Sequence, residues 1–506
     1  MPHDMQASHR GASARTSVTH PLQIATVPAD AGLGRVGITF CPGKCQPHSL
    51  TGAWARDVEL DVAAIADWGA ASVVTLVEDH ELAALGVAHL GEAVRSAHME
   101  WHHLAIRDVS VPTSAFETGW RTLGPALRDQ LRAGFDVLVH CKGGLGRAGM
   151  IAARLLIECG WQQAKALAAV RAVRPGAVET AAQEAYVLAL AATAGAQPQR
   201  SLGAIRDRCR GALLGLAVGD AIGTTLEFSR RDSGMPVTDM VGGGPFRLQP
   251  GEWTDDTAMA LALADALAAD GALDAHDLMR RFVAWWQDGT YSCTGRCFDI
   301  GITTRQALAR FERSGDPYAG SSDPMSAGNG SLMRLAPVAI RHWQDRGALA
   351  DTAARQSRTT HAAPEAVAAC VVYADTLADA LSGMPRHDLL AAERSSDAPA
   401  IDAIVRGSWR GKRRQEVRSS GYVAHSLEAA LWCVGRTSSF ANAVLLAANL
   451  GDDADTTAAI TGQLAGALYG VSGIPDSWLE QLAWRDRLSA VADALVDASG
   501  DAGDAA

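Results

Sequence analysis

The chain has no stretch of the ~18 uninterrupted apolar residues that a membrane-spanning helix requires, because Asp, Arg or Gly breaks every Ala/Leu-rich run. The sequence therefore predicts a soluble protein with no membrane partner. Its N-terminus, MPHDMQASHRGASARTSVTHP, lacks the apolar centre of a secretory leader and reads as a flexible tail. No Cys-x-x-Cys occurs among the nine scattered cysteines, which argues against a redox pair and for reduced thiols in the cytoplasm. Positive charge is also short: at a formal net charge of −11, a sequence-independent grip on nucleic acid is not expected, although a local basic pocket for one phosphate is compatible. What is present is globular, with 48% apolar and 20% charged residues. The 506 residues exceed one ordinary core and predict two to four units of roughly 150 residues each.

The two halves have different grammar. Up to about residue 195, β-rich runs (VGITF at 36, SVVTLV at 72, WHHLAI at 101, DVLVH at 136) alternate with helical stretches at 57–68, 114–132 and 146–158. That alternation predicts an α/β fold with a central, mostly parallel sheet flanked by helices. After 203 the strand signals stop, and Ala/Leu-rich segments at helical spacing follow at 204–221, 254–269, 275–287, 363–381, 423–434, 439–448 and 456–469, predicting an all-α region. Gly211, Gly215 and Gly219 sit at the spacing of close helix packing in a soluble core. The expected division is a tail 1–30, a domain 31–194, a linker 195–203, a domain 204–495 and a tail 496–506. The basic run WRGKRRQEVRSS, 409–420, reads as a solvated loop.

In VLVHCKGGLGRAGM, 137–150, an apolar strand ends at Cys141, a short turn follows, and a helix begins near Arg147. The thiol is thereby set beneath backbone N–H groups at a helix N-terminus, a place that binds a tetrahedral dianion and favours a thiolate. Gly143, Gly144 and Gly146 allow the tight turn; with Lys142 and Leu145 they form the candidate phosphate cradle. Arg147 can fork onto two phosphate oxygens. A Walker-type loop is excluded because Gly-Lys-Ser/Thr does not close it.

This region resembles the cysteine-dependent protein tyrosine phosphatases, in particular the kinase-associated dual-specificity type, whose loop also reads HC-x-GGLGR. The likeness takes in CPGK at 41–44, IRD at 106–108 and VRPGAVETAAQ at 173–183. The resemblance implies Cys141 as nucleophile, Arg147 as phosphate clamp, Asp108 as the general acid that protonates the leaving oxygen, and Gln183 as an orienter of the water that clears the phosphoenzyme. Cys41 and Cys45 are read as structural. One departure stands out: relatives place Ser or Thr after the arginine, where its hydroxyl stabilises the departing thiolate, and here the residue is Ala148. Losing such a donor costs on the order of 2 to 4 kcal/mol of transition-state stabilisation. Slow breakdown of a phosphocysteine, or a domain that binds phosphoryl groups with little turnover, both follow.

The second half opens two helical segments with more carboxylates than a cap needs: Thr254, Asp255, Asp256 and Thr257 in EWTDDTAM, and Asp452, Asp453, Asp455 and Thr456 in NLGDDADTT. Such clusters ask for a hard divalent cation, Mg²⁺, Mn²⁺ or Ca²⁺. An EF-hand fails, since the required Gly and Glu positions counted from Asp453 hold Ala458 and Leu464. A two-metal site shared by distant helices accounts better for the pattern.

These segments, with GALLGLAVGDAIGTTLEF, FDIGITTRQAL, GNGSLMR, TTHAAPEAV and SGYVAHSLEAALW, resemble the ADP-ribosylglycohydrolases, most of all the dinitrogenase-reductase-activating type, over about 203–490. The resemblance implies an all-α fold, two Mg²⁺ or Mn²⁺ ions and release of ADP-ribose from a modified side chain or small molecule. It implies Thr254, Asp255, Asp256, Asp453, Asp455 and Thr456 as metal ligands, with Asp299 and Glu227 as catalytic or substrate-positioning carboxylates. Asn329, Gly330, Ser331 and His361 are expected to contact the diphosphate and ribose, and Tyr422 to stack on adenine. His425-Ser426 replaces the Asp-Thr common in relatives. The expectation is a bifunctional hydrolase whose partners are ADP-ribosylated proteins or ADP-ribose derivatives on one side and phosphorylated proteins or small phosphate esters on the other. A non-catalytic ADP-ribose reader is the contrary reading.

Overall fold

The computed structural model describes residues 14–28, 33–49, 52–193, 201–270 and 272–500. Two compact units divide it, Met1–Ala196 and Gln197–Ala506. Residues 1–13, 29–32, 194–200 and 501–506, on which parts of the expected tails and linker fall, lie outside the described residues.

In the first unit the strands are β1 Ala25–Val27, β2 Val36–Phe40, β3 Cys45–Gln46, β4 Trp54–Ala55, β5 Ala70–Thr75, β6 Glu100–His103 and β7 Asp136–Cys141. Five of them form a sheet in the order β1-β2-β7-β5-β6, parallel except for the antiparallel edge pair β1/β2. Runs such as Val73-Val74 and Val137-Leu138-Val139 are buried on both faces, as continuous apolar strands of a helix-covered parallel sheet must be. Val27 is fully buried and pairs with Val36, so the sheet begins inside the segment expected to be a tail.

The register Phe40↔Cys141 and Thr75↔His140 sets Cys141 at the carboxyl edge of the central strand β7. From there the chain turns into the helix Gly146–Glu158, buried along its whole length. Gly144 makes that turn possible: its φ is +70°, and a Cβ there would stand 2.5 Å from the Thr39 carbonyl carbon.

The second unit is helical. Its central pair is Leu202–Gly223 against Ala454–Tyr469, running antiparallel with Gly211 facing Gly466, Gly215 facing Gly462, Gly219 facing Ala458 and Gly223 facing Ala454. A Cβ on Gly462 would lie 2.0 Å from the Gly215 carbonyl oxygen, so the i, i+4 glycines permit backbone-to-backbone contact. This close crossing carries Asp220 and Glu227, at the end of one helix, to Asp453 and Asp455, at the start of the other. The helix Asp255–Asp270 brings its N-terminus to the same place. The last helix, Arg485–Gly500, runs past the boundary expected at 495 and buries Val496. Among the described residues, no helix is long and apolar enough to cross a membrane.

Candidate active sites

Cys141 is buried at the mouth of its loop and accepts a hydrogen bond from the Gly144 N–H (3.2 Å to Sγ). Arg174, outside the expected set, donates from Nε to the Gly144 carbonyl (2.9 Å) and from Nη2 to the Gly143 carbonyl (3.0 Å). Tying those carbonyls to Arg174 leaves loop N–H groups for an anion, the arrangement a phosphate cradle requires. Lys142 has its Nζ 3.7 Å from Glu81.

Arg147, only 2% exposed, donates from Nη1 to Glu81 (2.6 Å) and to the Ile106 carbonyl (2.9 Å), while Nη2 lies 3.3 Å from Glu81 and 2.9 Å from Asp108. Burial opposes its charge, but the bond to Glu81 and the nearby anions win and hold the guanidinium above its ordinary pKa. Burial likewise raises Glu81, and the Arg147 hydrogen bond and charge outweigh it, so that carboxyl lies below its usual range. Glu81 sits at the third position of the short helix Asp79–Ala84, where its bond to the Glu78 N–H makes it look like a helix cap. That local role hid its partnership with Arg147.

Asp108 is 56% exposed on a loop whose next residue, Val109, has a left-handed φ of 56°. Buried Gln183 donates to the Ser110 carbonyl (3.2 Å) and accepts from the Glu179 N–H (3.0 Å), linking the Asp108 loop to the residues against Gly146. His140 bonds Thr75 Oγ1 through Nε2 (2.7 Å), and burial lowers its pKa to about 3, so the imidazole is neutral. Ala148 is fully buried and adds no hydroxyl to the sulfur. Cys41 is buried, with its thiol pushed up to about 12 by burial, and all nine cysteines are free.

In the second unit a cavity of about 820 Å³ gathers Glu227, Asp255, Asp299, Asp453, Asp455 and Thr456. Asn329, Gly330 and His361 line it too. Behind them Asp256 and Thr254 are buried, and Asp256 Oδ1 has no hydrogen-bond partner among the described residues. Carboxylate oxygens converge within 4.8 Å of one another in two triplets, Asp220/Asp256/Asp455 and Glu227/Asp453/Asp455. Burial and then mutual repulsion push these acids up: Asp220 and Asp453 to about 7, Glu227 to about 12, Asp299 to about 11, and Asp255 and Asp256 well above the normal range. A hard, all-oxygen set with an orphaned buried oxygen fits divalent cations.

Asp220, absent from the expected ligands, clamps the helix start. It accepts from Thr254 N (2.9 Å) and Oγ1 (2.8 Å), and from Thr257 N (3.0 Å) and Oγ1 (2.7 Å). Glu227 accepts from the Ala454 N–H (2.8 Å), so it also caps the helix that begins at Ala454. Asn329 Nδ2 donates to Asp453 (2.6 Å) and to Ser426 Oγ (2.8 Å), which gives Ser426 a supporting place in the altered His-Ser pair. His361 is held by Thr360 (2.9 Å) and kept neutral by burial, its pKa about 3. Buried Arg334 bonds the Gly330 carbonyl (3.2 Å) and Thr360 Oγ1 (2.9 Å), fixing the floor on which His361 rests. Asp299 holds φ at 60°, a region non-glycine residues enter at a cost of about 1–3 kcal/mol.

One expectation is corrected. Ser331 is fully buried and bonded to Ser357 (2.9 Å), so it faces the core and not a diphosphate. Tyr422 is half-buried directly after the lining residues Ser420 and Gly421; its hydroxyl is held by Glu365 (2.5 Å) and its ring meets His425 edge-on. The basic run at 409–420 is largely paired, Lys412 with Glu428 and Arg414 with Asp232.

Residues 201–505 match the family model described as ADP-ribosylglycohydrolase, and residues 45–187 match that of the Swiss Army Knife protein, DSP-PTPase phosphatase domain. The chain is 50% identical over 291 residues to the ADP-ribosylarginine hydrolase Tri1 of Pseudomonas putida, covering 58% of this chain and 78% of that protein. It is 34% identical over 284 residues to the ADP-ribosyl-[dinitrogen reductase] glycohydrolase of Rhodospirillum rubrum, covering 55% and 91% respectively. A solved ADP-ribosylglycohydrolase-related protein complex superposes with a TM-score of 0.53 at 42% identity, over 59% of this chain and all of that one.

Proposed function

From the premise that the chain belongs to the ADP-ribosylglycohydrolase family, we propose that its second unit releases ADP-ribose from modified arginine side chains. The chain is a bifunctional hydrolase that joins this activity to a dual-specificity-type phosphatase domain. The observation that carries the arginine reading is the convergence of Glu227, Asp255, Asp299, Asp452, Asp453 and Asp455 on one cavity, in a unit half identical to an ADP-ribosylarginine hydrolase. An anionic cavity suits a substrate whose linkage ends in a guanidinium.

The family depends on divalent metal. Two Mg²⁺ or Mn²⁺ ions would be held by Thr254, Asp255, Asp256, Asp453, Asp455 and Thr456, and when bound they supply positive charge that fixes ribose hydroxyls and a water. Asp220 orients Thr254 and Thr257 beneath that set. Glu227 and Asp299 face the same space as two carboxyl groups of high proton affinity. One takes a proton from the attacking water as the bond from the anomeric carbon to the guanidino nitrogen breaks, and the other gives its proton to that departing nitrogen. Asn329 positions Asp453, and neutral His361 offers a hydrogen bond to the ADP-ribose oxygens. Nine free cysteines suit a reducing compartment such as the cytoplasm.

In the first unit Cys141 attacks phosphorus, Arg147 and the loop N–H groups hold the phosphoryl oxygens, and Asp108 gives its proton to the leaving oxygen. Ala148 favours a second reading, in which this unit binds phosphoryl groups and turns them over slowly. The decisive test of the main reading is release of ADP-ribose from arginine-linked and serine-linked ADP-ribosyl peptides, with Mn²⁺ or with chelator. Arginine-linked substrate cleaved only with metal supports it; equal cleavage of both linkages, or indifference to chelator, overturns it.

A further inference from the structure

Beside the phosphate loop of the first unit lies a second cavity of about 730 Å³, whose lining includes Lys44, Gln46, His48, Lys142 and Gly143. Lys44 is its unusual member. The residue is only 6% exposed, yet among the described residues no carboxylate comes within ion-pair distance of its ammonium. The ammonium lies over two ring faces, 4.6 Å from the centroid of Phe40 and 4.4 Å from that of Trp54. The neighbouring cation, Arg56, is in contrast consumed by Asp61 at 2.7 Å. Buried charges are normally paired, and one that is not costs several kcal/mol of solvation unless a ligand completes it. Burial lowers the Lys44 pKa to about 8, with Arg56 and Arg174 adding to the effect and Cys41 and Cys141 opposing it. The ring faces hold the ammonium in place without neutralising it.

Lys142 joins the two spaces, since it follows the nucleophile in the loop and lines the second cavity as well. With Lys44 it brings two positive charges to a wall shared with the phosphate cradle, and among the described residues only Lys142 of the two has an acidic neighbour, Glu81 at 3.7 Å.

We infer that Lys44 and Lys142 form a second anion subsite, and that the preferred substrates of this unit carry a second phosphoryl group near the one cleaved. The inference rests on the phosphatase reading of Cys141 for turnover, but not for binding. The scissile phosphate occupies the loop 141–147 while the second group sits against the Lys44 ammonium, replacing solvent with a charge-assisted contact. Such contacts are worth about 1.5–3 kcal/mol, roughly ten- to a hundredfold in affinity.

The test uses the full chain and a series of α,ω-alkanediol bisphosphates, each against its monophosphate. With wild type, kcat/KM for the best bisphosphate should exceed that of its monophosphate by about tenfold or more. Lys44→Met, which keeps the stem between the rings, should collapse that ratio toward one, and Lys44→Arg should retain most of it. Monophosphate turnover by Lys44→Met, unchanged within about twofold, controls for folding. Calorimetry of Cys141→Ser with the same pairs reads the subsite without chemistry. A binding preference without turnover in wild type would refute the phosphatase reading and keep the subsite. A ratio near one in wild type and in Cys141→Ser, or a ratio untouched by Lys44→Met, would overturn the subsite. A doubly phosphorylated peptide forms a further arm; preference for it over every alkanediol would assign the second phosphate to a protein substrate.

Discussion

The two sites of this chain handle charge in opposite ways. In the first unit the cation at the nucleophile is already answered: Arg147 is matched by Glu81 and Asp108, while Arg174 holds the loop carbonyls. In the second unit Glu227, Asp255, Asp256, Asp299 and Asp453 crowd in and behind one cavity, and burial together with their mutual repulsion pushes them up in pKa. The first site is thus pre-balanced and can exchange one internal anion for a phosphate. The second is out of balance, a cluster of buried acids of the kind that a hard divalent cation relieves.

The contrast can be broken most directly at the two reacting centres. Cys141→Ser should lower phosphate release by about 10⁴-fold or more and leave ADP-ribose release alone. Asp256→Asn should do the reverse, lowering ADP-ribose release by about 10²-fold or more, and product assays on both variants read the outcome directly.

Glu81→Gln comes next. Removing one partner of a buried pair leaves Arg147 with Asp108 alone, so kcat/KM for phosphate esters should fall about 10- to 100-fold and the thermal midpoint of the first unit should drop. Unchanged kinetics would show that Glu81 does not position the clamp.

Ala148→Ser restores the missing hydroxyl. It should raise steady-state turnover roughly tenfold while leaving the initial burst unchanged, because the donor acts on the departing thiolate in the second step. Absence of a burst in either form would mark the loop as a binder.

The smallest effect sharpens the imbalance itself. Asp220 and Asp453, held near 7 against an ordinary 3.8, stay protonated in the folded chain where the unfolded chain has released those protons. Unfolding free energy in chelator should therefore fall as pH rises from about 4 to 7, lowering the thermal midpoint of the second unit by several degrees; Mn²⁺ should flatten the trend. A midpoint that rises with pH in chelator would contradict the raised acids.

Much of this was legible in the chain itself. The spacing predicted helices at 114–132 and 146–158, and these are the observed bounds, because the apolar periodicity there agrees with caps such as Thr113. Cys141 through Arg147 could be read because a phosphate cradle is one turn of contiguous backbone. Glu81 and Arg174 could not, since each reaches the loop from another element while performing a local role. Asp220 was hidden in the same way at the end of a helix that reads as plain core. Ser331 was misplaced because a motif names a residue without saying which way it faces.

By itself, then, the sequence determined the two fold classes, the nucleophile loop and the acidic helix starts, all of which are patterns confined to one element or one turn. Tertiary structure alone decided which acids meet, which cations are already spoken for and that, among the described residues, Lys44 is not. Those are matters of distance between elements remote in the chain, and at the acidic site of the second unit the distances follow from glycines that let two helices touch.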